Sequence, residues 1–404
     1  MTPLELRSAL SLSSVFGMRM LGLFLVLPVF ALEAARFPGG DDPARVGLAM
    51  GIYGLTQALL QLPLGMASDR WGRKRVIVAG LLVFALGSAM AMAATSLAGL
   101  TLGRAVQGAG AVSAAVTALL ADQTRDVVRT KAMTLVGVSI GAVFAFSLMA
   151  APWLNQFVGL SGLFALTAVM ALLGIAVVLK FTPPEAPRPA ARHAAGLSQV
   201  LAHAQLMRLN LGVFILHAVQ LAMWVAIPGL LVQAGLVKEL HWQVYLPTVL
   251  ASFFVLRMTL YPLERRGYLR AVFLLAVALI AGVQLVFLWT AGQPLGVLAL
   301  AVLLFVFFCG FNILESCQPS MASRLASSRV RGTALGVFNT LQSLGFFLGG
   351  ALGGWLLRTQ GVSGLFLACA ALMLLWLVVA WPMRAPALHE SSPEACVVES
   401  GAAR

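Results

Sequence analysis

Twelve apolar stretches run through this chain, and each is long enough for the ~20 residues that a membrane-spanning helix needs. Hydrophobic residues make up 60% of the 404 residues and charged residues only 10%, whereas a soluble domain carries about 25% charged residues. A water-soluble core cannot hide that much apolar surface, so we infer that lipid surrounds the chain. The predicted spans are 10–33, 46–68, 75–95, 98–121, 131–152, 160–182, 207–235, 244–263, 269–291, 295–324, 331–357 and 362–383.

One charged loop occurs twice, each time between long apolar stretches. It reads Gly-Met-Ala-Ser-Asp-Arg-Trp-Gly-Arg-Lys-Arg at 65–75 and Glu-Arg-Arg-Gly-Tyr-Leu-Arg at 264–270, at an offset of 195 residues (264 minus 69). Both copies run in the same direction along the chain. The sequence therefore predicts an all-α polytopic membrane protein, whose twelve transmembrane helices form two six-helix bundles related by a pseudo-two-fold axis along the membrane normal.

The repeat divides the chain into four predicted parts. An N-terminal six-helix bundle covers 1–182, a cytoplasmic linker covers 183–206, and a C-terminal six-helix bundle covers 207–383. The linker is rich in proline and arginine, and this composition cannot continue a membrane helix. We expect residues 384–404 to form a disordered cytoplasmic tail.

Lysine and arginine are distributed unevenly between the two sides of the predicted bundle. If both termini lie on one side, that side carries 20 of the 27 basic side chains and the other side only four. The positive-inside rule then predicts a multi-pass protein of the bacterial-type inner membrane with both termini in the cytoplasm. The net charge of +13 fits contact with anionic lipid headgroups. Its spread over six loops and tails argues against nucleic-acid binding.

Neither the cysteines nor the methionines indicate a metal site. Cys309, Cys317 and Cys369 fall in predicted helices and Cys396 in the tail, and no pair has the spacing of metal ligands. The 16 methionines are not clustered with histidine. We therefore expect no metal and no cofactor. An enzyme is disfavoured as well, because the predicted helices hold no nucleophile–base or metal set.

Several motifs show which family the chain resembles. Gly65, Asp69, Arg70, Gly72, Arg73 and Lys74 are similar to the cytoplasmic loop signature G-x-x-x-D-R-x-G-R-K of the major facilitator superfamily, and 102–110 resembles its fourth-helix signature. Three segments at 19–28, 47–57 and 310–319 resemble the YajR-type drug/proton antiporters in particular. We expect no counterpart of the soluble C-terminal domain of that type. Ala151-Pro152 stands where drug antiporters usually have Gly-Pro.

The resemblance implies a monomeric secondary transporter that works by alternating access. We expect proton-coupled efflux of small organic, drug-like compounds, with the substrate, protons and membrane lipids as partners. Proton-coupled or facilitated uptake of a small metabolite is the alternative within transport. A non-transporting membrane subunit or sensor is the alternative of another class.

The loop signature also predicts a conformational latch, whose residues lie in the loop or at its expected partners: Gly65, Asp69, Arg70, Gly72, Arg73, Lys74, Asp122 and Gly332. Asp69 can accept hydrogen bonds from the unpaired amides at the start of helix eleven, near Gly332. Arg73 can reach Asp122, and each contact contributes about 0.5–2 kcal/mol. We expect the latch to favour the outward-open state. The alternative is a solvated basic turn that only sets topology.

Polar side chains spaced three or four residues apart share single faces of several predicted helices, and these faces predict one central cavity. The predicted cavity residues are Tyr53, Gln57, Gln61, Gln107, Gln220, Trp224, Asn312, Gln318, Asn339 and Gln342. Hydrogen bonding between helices is the alternative role of the three glutamines at 57, 61 and 107. A tryptophan such as Trp224 more often packs between helices than stacks on a ligand.

Charged residues inside the predicted helices are candidates for proton coupling, because a charge in hydrocarbon costs at least ~2.5–3.5 kcal/mol on insertion scales. Glu315 is the acid near the middle of a span, and we expect it to carry the proton. Arg104, Arg19 and His217 are the further candidates. The alternative roles are a hydrogen-bonded carboxyl for Glu315, a cap of carbonyl groups for Arg104, and helix packing for His217.

Overall fold

A computed structural model describes residues 1–185, 197–326 and 330–383. The predicted tail at 384–404 and residues 186–196 of the predicted linker lie outside these described residues. The helices are α1 Pro3–Phe24, α2 Leu27–Ala34, α3 Pro43–Trp71, α4 Arg73–Met92, α5 Leu97–Ala109, α6 Ser113–Asp122, α7 Asp126–Lys180, α8 Leu197–Ala202, α9 Ala204–Gln233, α10 Trp242–Arg265, α11 Leu269–Trp289, α12 Val297–Leu325 and α13 Arg331–Ala380. A short 3₁₀ helix, Lys238–Leu240, precedes α10.

In the part of the chain that the structure describes, nine helical segments are long and apolar enough to cross a membrane. Two of them have 50 residues, which at 1.5 Å per residue is about 75 Å and more than twice the ~30 Å hydrocarbon core. Each contains one glycine in the left-handed region, Gly159 in α7 (φ 62°) and Gly361 in α13 (φ 67°). Both segments therefore consist of two spans joined at a glycine.

Contacts with α1 show that α7 folds back at Gly159. Arg125, next to the start of α7, donates from Nε to Glu5 at 2.7 Å, and Arg7 donates to the carbonyl of Phe181 at the other end of α7, also at 2.7 Å. Both ends of α7 thus lie beside the first turns of α1. The two spans before and after Gly159 are antiparallel neighbours.

The second long segment, α13, folds back in the same way at Gly361. A Cβ atom at Gly345 would lie 2.3 Å from the carbonyl oxygen of Phe214, and one at Gly212 would lie 2.7 Å from the ring of Trp376. The two spans of α13 therefore pass the same level of α9 in opposite directions. The nine described segments, of which two are double, give eleven crossings. Helix α3, which carries Asp69 and Arg70 in its last turn, adds the twelfth.

The first and fourth predicted spans are each divided into two helices. A break at residues 25–26 separates α1 from α2, and Pro28 lies in the first turn of α2, where it supplies no backbone N–H. A break at 110–112 separates α5 from α6. The predicted linker also differs, because α8 lies within it and α9 begins at Ala204, before the predicted 207.

The repeat extends to the backbone conformation. Three glycines of the first half have positive φ, and each has a counterpart in the second half at an offset of 195 to 202 residues. The pairs are Gly39 and Gly235 (87° and 88°), Gly72 and Gly267 (98° and 83°), and Gly159 and Gly361 (62° and 67°). Glycine populates this region at little cost, so the two halves make the same turns with the same residue.

Candidate functional site

The two ends of the helix bundle make different contacts between its halves. We call the end at which α1 begins the terminal face and the opposite end the distal face. At the distal face, Lys238 of the second half pairs with Glu33 of the first, and Arg358 donates to Asp42 at 2.8 Å. Glu33 is buried, and it also accepts from Asn155 at 2.9 Å. Two ion pairs therefore join the halves at this face.

Backbone packing between α3 and α13 reinforces the contact near the distal face. A Cβ atom added to Gly47 would lie 2.2 Å from the carbonyl oxygen of Gly350. One added to Gly51 would lie 2.5 Å from the carbonyl oxygen of Phe347. Helix backbones can approach this closely only where small residues line both of them. The distal face is consequently closed, and no space remains there between these two helices.

At the terminal face, the described latch contacts lie within the first half. Arg73 lies 2.6 Å from Asp69 and 3.3 Å from Asp122, and it donates to Ser68 at 2.6 Å. Gly72 has the left-handed φ given above. Gly65 lies close to α6, because a Cβ atom added to it would lie 3.5 Å from the Cβ of Ala114.

Among the described residues, Asp69 pairs with Arg73, and no hydrogen bond joins it to the start of α13. The space that a Cβ at Gly332 would enter is open, with nothing within 4 Å. The expected contact needs the terminal ends of α3 and α13 to approach, whereas the ion pairs between the halves lie at the distal face. The latch therefore stays a prediction.

Glu185 is a partner of the charged loop that sequence reasoning missed. Its carboxylate accepts from the backbone amide of Arg73 at 3.0 Å and from that of Lys74, at the start of α4. Lys74 in turn donates to the carbonyl of Thr182 at 2.6 Å. A carboxylate at a helix N-terminus is a favourable arrangement. The signal was available, since Glu185 directly follows the prolines that end the sixth predicted span.

In the second half, three predicted residues from three helices form one cluster. His217 of α9 lies with Nε2 3.3 Å from Oε2 of Glu315 in α12. Gln342 of α13 places its amide nitrogen 2.7 Å from the same ring nitrogen and 3.4 Å from Oε1 of Glu315. The other ring nitrogen of His217, Nδ1, lies 2.8 Å from the carbonyl oxygen of Val213.

The hydrogen bonds of His217 determine how a proton can be held. A carbonyl oxygen only accepts, so Nδ1 carries a hydrogen and Nε2 of the neutral ring is an acceptor. The single lone pair of Nε2 can accept from the amide of Gln342 or from a protonated Glu315, but not from both, whereas Nε2–H of an imidazolium can donate to the carboxylate. Both forms contain one proton shared by His217 and Glu315. The distance between Nε2 and the carboxylate therefore allows one proton to lie between His217 and Glu315.

The two members of the pair differ in burial. The side chain of Glu315 is 41% exposed, whereas that of His217 is 2% exposed. Glu315 is therefore the member of the cluster that neighbouring helices leave uncovered.

In the first half, Arg19 of α1 is the centre of a second polar cluster. Its guanidinium donates to Ser113 at 2.8 Å, to the hydroxyl of Tyr53 at 2.6 Å and to Oε1 of Gln57 at 2.8 Å. Gln57 then donates to Ser343 of α13 at 2.9 Å. Arg19 is therefore connected to the second half through one glutamine.

Arg104 is buried next to this cluster. It donates to Gln107 at 2.7 Å, and Gln107 donates to Ser88 at 2.9 Å. The guanidinium carbon lies 5.0 Å from the centroid of the Tyr53 ring, within cation–π distance. In the described parts of the chain, neither Arg104 nor Arg19 forms an ion pair with an acid.

The remaining predicted cavity residues are not part of either cluster. Asn312 donates to Ser252 of α10 at 2.7 Å, and the Trp224 ring lies edge-on to Tyr245 at 5.2 Å, so both connect helices of the second half. Asn339 is half-buried one turn before Ser343. Three glutamines are buried and have side-chain atoms without a hydrogen-bond partner, namely Gln61, Gln220 and Gln318.

Comparison with known sequences agrees with this geometry. The sequence profile of the family described as Major Facilitator Superfamily matches residues 9–350. The "Inner membrane transport protein YajR" of Escherichia coli K12 is 42% identical over 390 residues, which cover 96% of this chain and 85% of that relative. The "Multidrug resistance protein MdtH" of Aeromonas salmonicida is 30% identical, with 82% of each chain covered.

Solved structures show the same fold at low sequence identity. The D-xylose-proton symporter superposes with a TM-score of 0.72 at 13% identity, over 94% of this chain and 98% of that one. The human organic anion transporter MFSD10 superposes with a TM-score of 0.67 at 18% identity, over 94% and 100%. The relatives and the fold are those of multi-pass membrane transporters and not of enzymes.

Proposed function

Because the chain belongs to the major facilitator superfamily, we propose that it is a secondary active transporter that exports small organic compounds in exchange for protons. The names of two relatives support this proposal, since one is a transport protein of an inner membrane and the other a multidrug resistance protein. We place the protein in a bacterial inner membrane as a monomer, with both termini in the cytoplasm. The terminal face is then the cytoplasmic face.

The observation that carries the proton-coupling proposal is the cluster of His217, Glu315 and Gln342. It combines one exposed carboxylate with one buried imidazole at hydrogen-bond distance, near the middle of α9 and α12. A carboxylate–imidazole pair can hold one proton either as a carboxylic acid beside a neutral ring or as a carboxylate beside an imidazolium. Glu315 is the member that neighbouring helices leave uncovered, so it is the group that exchanges protons with water.

Alternating access follows from the contacts between the halves. In this structure the ion pairs that join them lie at the distal face, and the glycine contacts of α3 with α13 extend from there to Gly54 and Gly336. Transport requires a second state in which this face opens and the terminal face closes, and the latch supplies the contacts for that closure. The same fold occurs in a D-xylose-proton symporter. Uptake is therefore the alternative direction, and the transport assay decides between them.

The test measures proton movement by purified protein in liposomes loaded with a pH-sensitive dye. A panel of fluorescent organic cations, anions and neutral compounds is added to one side. We expect at least one compound to drive proton movement by the wild type. Glu315→Gln keeps the shape of the side chain but cannot release a proton, so this movement falls at least tenfold while exchange of the labelled compound persists.

The matched control is Asp41→Asn, which removes an exposed acid at the distal face and is expected to behave as the wild type. Unchanged proton movement in Glu315→Gln would overturn the assignment of the proton to this cluster. A protein that moves none of the compounds and shows no conformational exchange would favour the alternative of a non-transporting membrane subunit or sensor.

A further inference from the structure

The charges inside the helix bundle do not balance. Within the described residues, four charged side chains lie six or more residues from the nearest end or turn of a membrane-spanning segment. Three are arginines, Arg19, Arg104 and Arg257, and one is the acid Glu315. These segments therefore carry more positive than negative charge. Arg257 is exposed, whereas Arg19 and Arg104 are buried, and buried charges are costly and usually paired.

The acids of the first half are engaged elsewhere. Glu5 pairs with Arg125 and Glu33 with Lys238, close to opposite ends of the bundle. Other acids of this half pair at the two faces, Asp42 with Arg358, and Asp69 and Asp122 with Arg73. Asp41 is exposed at the distal face, and none of the ion pairs between described residues joins an acid of this half to Arg19.

The partners of Arg19 are all neutral, although its side chain is 2% exposed. Ser113, Tyr53 and Gln57 each accept one hydrogen bond, and the Nε–H of the guanidinium has no partner. A guanidinium presents a planar set of donors that matches the two oxygens of a carboxylate or phosphate. The site thus has the donor geometry and the charge for an oxyanion.

Gln57 occupies the place that an oxyanion would take. Its amide oxygen accepts from Nη2 of Arg19 at 2.8 Å, as one oxygen of a carboxylate would. Its amide nitrogen donates across the boundary between the halves, to Ser343 at 2.9 Å. Gln57 is half-buried, so its side chain borders the space between the halves and can be displaced from there.

We propose that the transported compounds are organic anions, and that Arg19 binds their acidic group in place of Gln57. The proposal rests on the proposed transport function, since it names the class of compound that the transporter carries. Displacement of Gln57 also removes its hydrogen bond to Ser343. Two side-chain hydrogen bonds between described residues join the halves at the distal face, and the bond of Gln57 to Ser343 joins them away from that face.

Binding of the anion therefore acts on the contact between the halves. Ser343 directly follows Gln342, which contacts both His217 and Glu315. The segment of α13 that loses the bond to Gln57 is thus the segment that contacts the proton site. The acidic group and the proton are linked through adjacent residues of one helix.

The test compares three compounds that share one scaffold and differ in charge: 1-naphthylacetate, 2-(1-naphthyl)ethanol and 2-(1-naphthyl)ethylamine. The unfolding temperature of the purified full chain is measured against the concentration of each, without a pH gradient, because a ligand that binds the folded state raises that temperature. We expect the acid to bind the wild type at least tenfold more tightly than the alcohol or the amine.

Two variants distinguish a role in binding from a role in structure. Arg19→Gln removes the positive charge, so the tenfold preference for the acid is lost. Gln57→Glu places a carboxylate beside Arg19 within the protein, so the unfolding temperature without ligand rises while the acid loses its preference. The matched control is Arg266→Gln, which removes an exposed arginine at the terminal face and leaves the preference intact.

Equal or tighter binding of the alcohol or the amine to the wild type would overturn the proposal, and so would absence of binding by all three up to millimolar concentration. Persistence of the preference in Gln57→Glu would overturn it even if Arg19→Gln fails to fold. Because binding is measured without a gradient, loss of proton coupling in Glu315→Gln leaves this result unaffected. Failure of the coupling proposal is therefore distinguishable from failure of this one.

Discussion

Arg73 contacts the surrounding elements through both its side chain and its backbone. Its guanidinium contacts the carboxylates of Asp69 and Asp122 and the hydroxyl of Ser68, while its backbone amide donates to Glu185. The residue thus connects α3, α4, α6 and the first residues of the linker. Asp69 is the member of this group that the latch needs at the other half, and its side chain is 35% exposed.

We predict that Asp69→Asn disfavours the state in which the terminal face is closed. The present Asp69–Arg73 pair is partly exposed, so its loss costs at most about 1 kcal/mol. The predicted contact with the start of α13 contributes up to about 2 kcal/mol. A net loss of about 1 kcal/mol from the closed state changes the equilibrium ~5-fold.

The measurement is the distance distribution between spin labels at the terminal ends of α3 and α13. Longer distances should become more populated in Asp69→Asn, and Asp41→Asn should match the wild type. A distribution equal to that of the wild type, together with lost transport, would show that the loop acts in some other way.

Among the elements, α13 has two glycine faces that pack on two different helices. Gly345 and Gly349 lie against α9, where added Cβ atoms would come within 2.3 and 2.2 Å of backbone oxygens. Gly350 and Gly354 lie against α3, where the corresponding distances are 2.6 and 2.3 Å. The first face holds α13 within its own half, whereas the second joins the halves and must separate when the distal face opens.

We predict that Gly350→Val opens the distal face. Its first added carbon would lie 2.6 Å from the carbonyl oxygen of Gly47, a contact that the rigid helix backbones cannot relieve without separating. Overpacking of this kind typically costs about 1–3 kcal/mol. Spin labels placed at Arg45 and Thr359, at the distal ends of α3 and of the first span of α13, should move apart. Gly229→Val in α9 is the control, since nothing lies within 4 Å of its added Cβ, and an unchanged distance in Gly350→Val would refute the prediction.

At the scale of the whole molecule, the two faces differ in the charged contacts that they make. Two ion pairs join the halves at the distal face, while the described latch contacts stay within the first half. Contacts of α3 with α13 extend from the distal face to Gly54 and Gly336. Alternating access requires such a difference between the faces, because in each state the two halves are joined at one face and separated at the other. Which face meets the cytoplasm is a question of topology, and the basic residues at the terminal face predict the answer.

We predict that a membrane-impermeant thiol reagent labels a cysteine at Arg45 in intact cells but not one at Arg70. Both arginines are exposed and lie at opposite faces of the bundle, so the comparison depends on orientation alone. Cys396 is replaced by serine, and the described native cysteines are buried. Labelling of both sites after the cells are opened is the control, and the reverse pattern in intact cells would invert the predicted topology.

Properties that depend on a single helix were predictable from the sequence. The apolar spans, the repeat of the charged loop and the class of fold follow from hydrophobic length and from charge, which act locally on each segment. The candidate residues of both clusters were identified for the same reason. A polar residue inside an apolar helix stands out in the sequence whatever it contacts, as Arg19, Glu315 and His217 do.

The partners of those residues were decided only by the tertiary structure. Gln57 and Ser343 are 286 residues apart in the chain, Glu33 and Lys238 are 205 apart, and Arg73 and Glu185 are 112 apart. Such pairs depend on how whole helices are placed and on which face of the bundle is closed. The sequence thus determined a bundle of membrane helices with buried charges. Packing of glycine faces and the pairing of distant charges determined which state the bundle adopts and which buried charge lacks a partner.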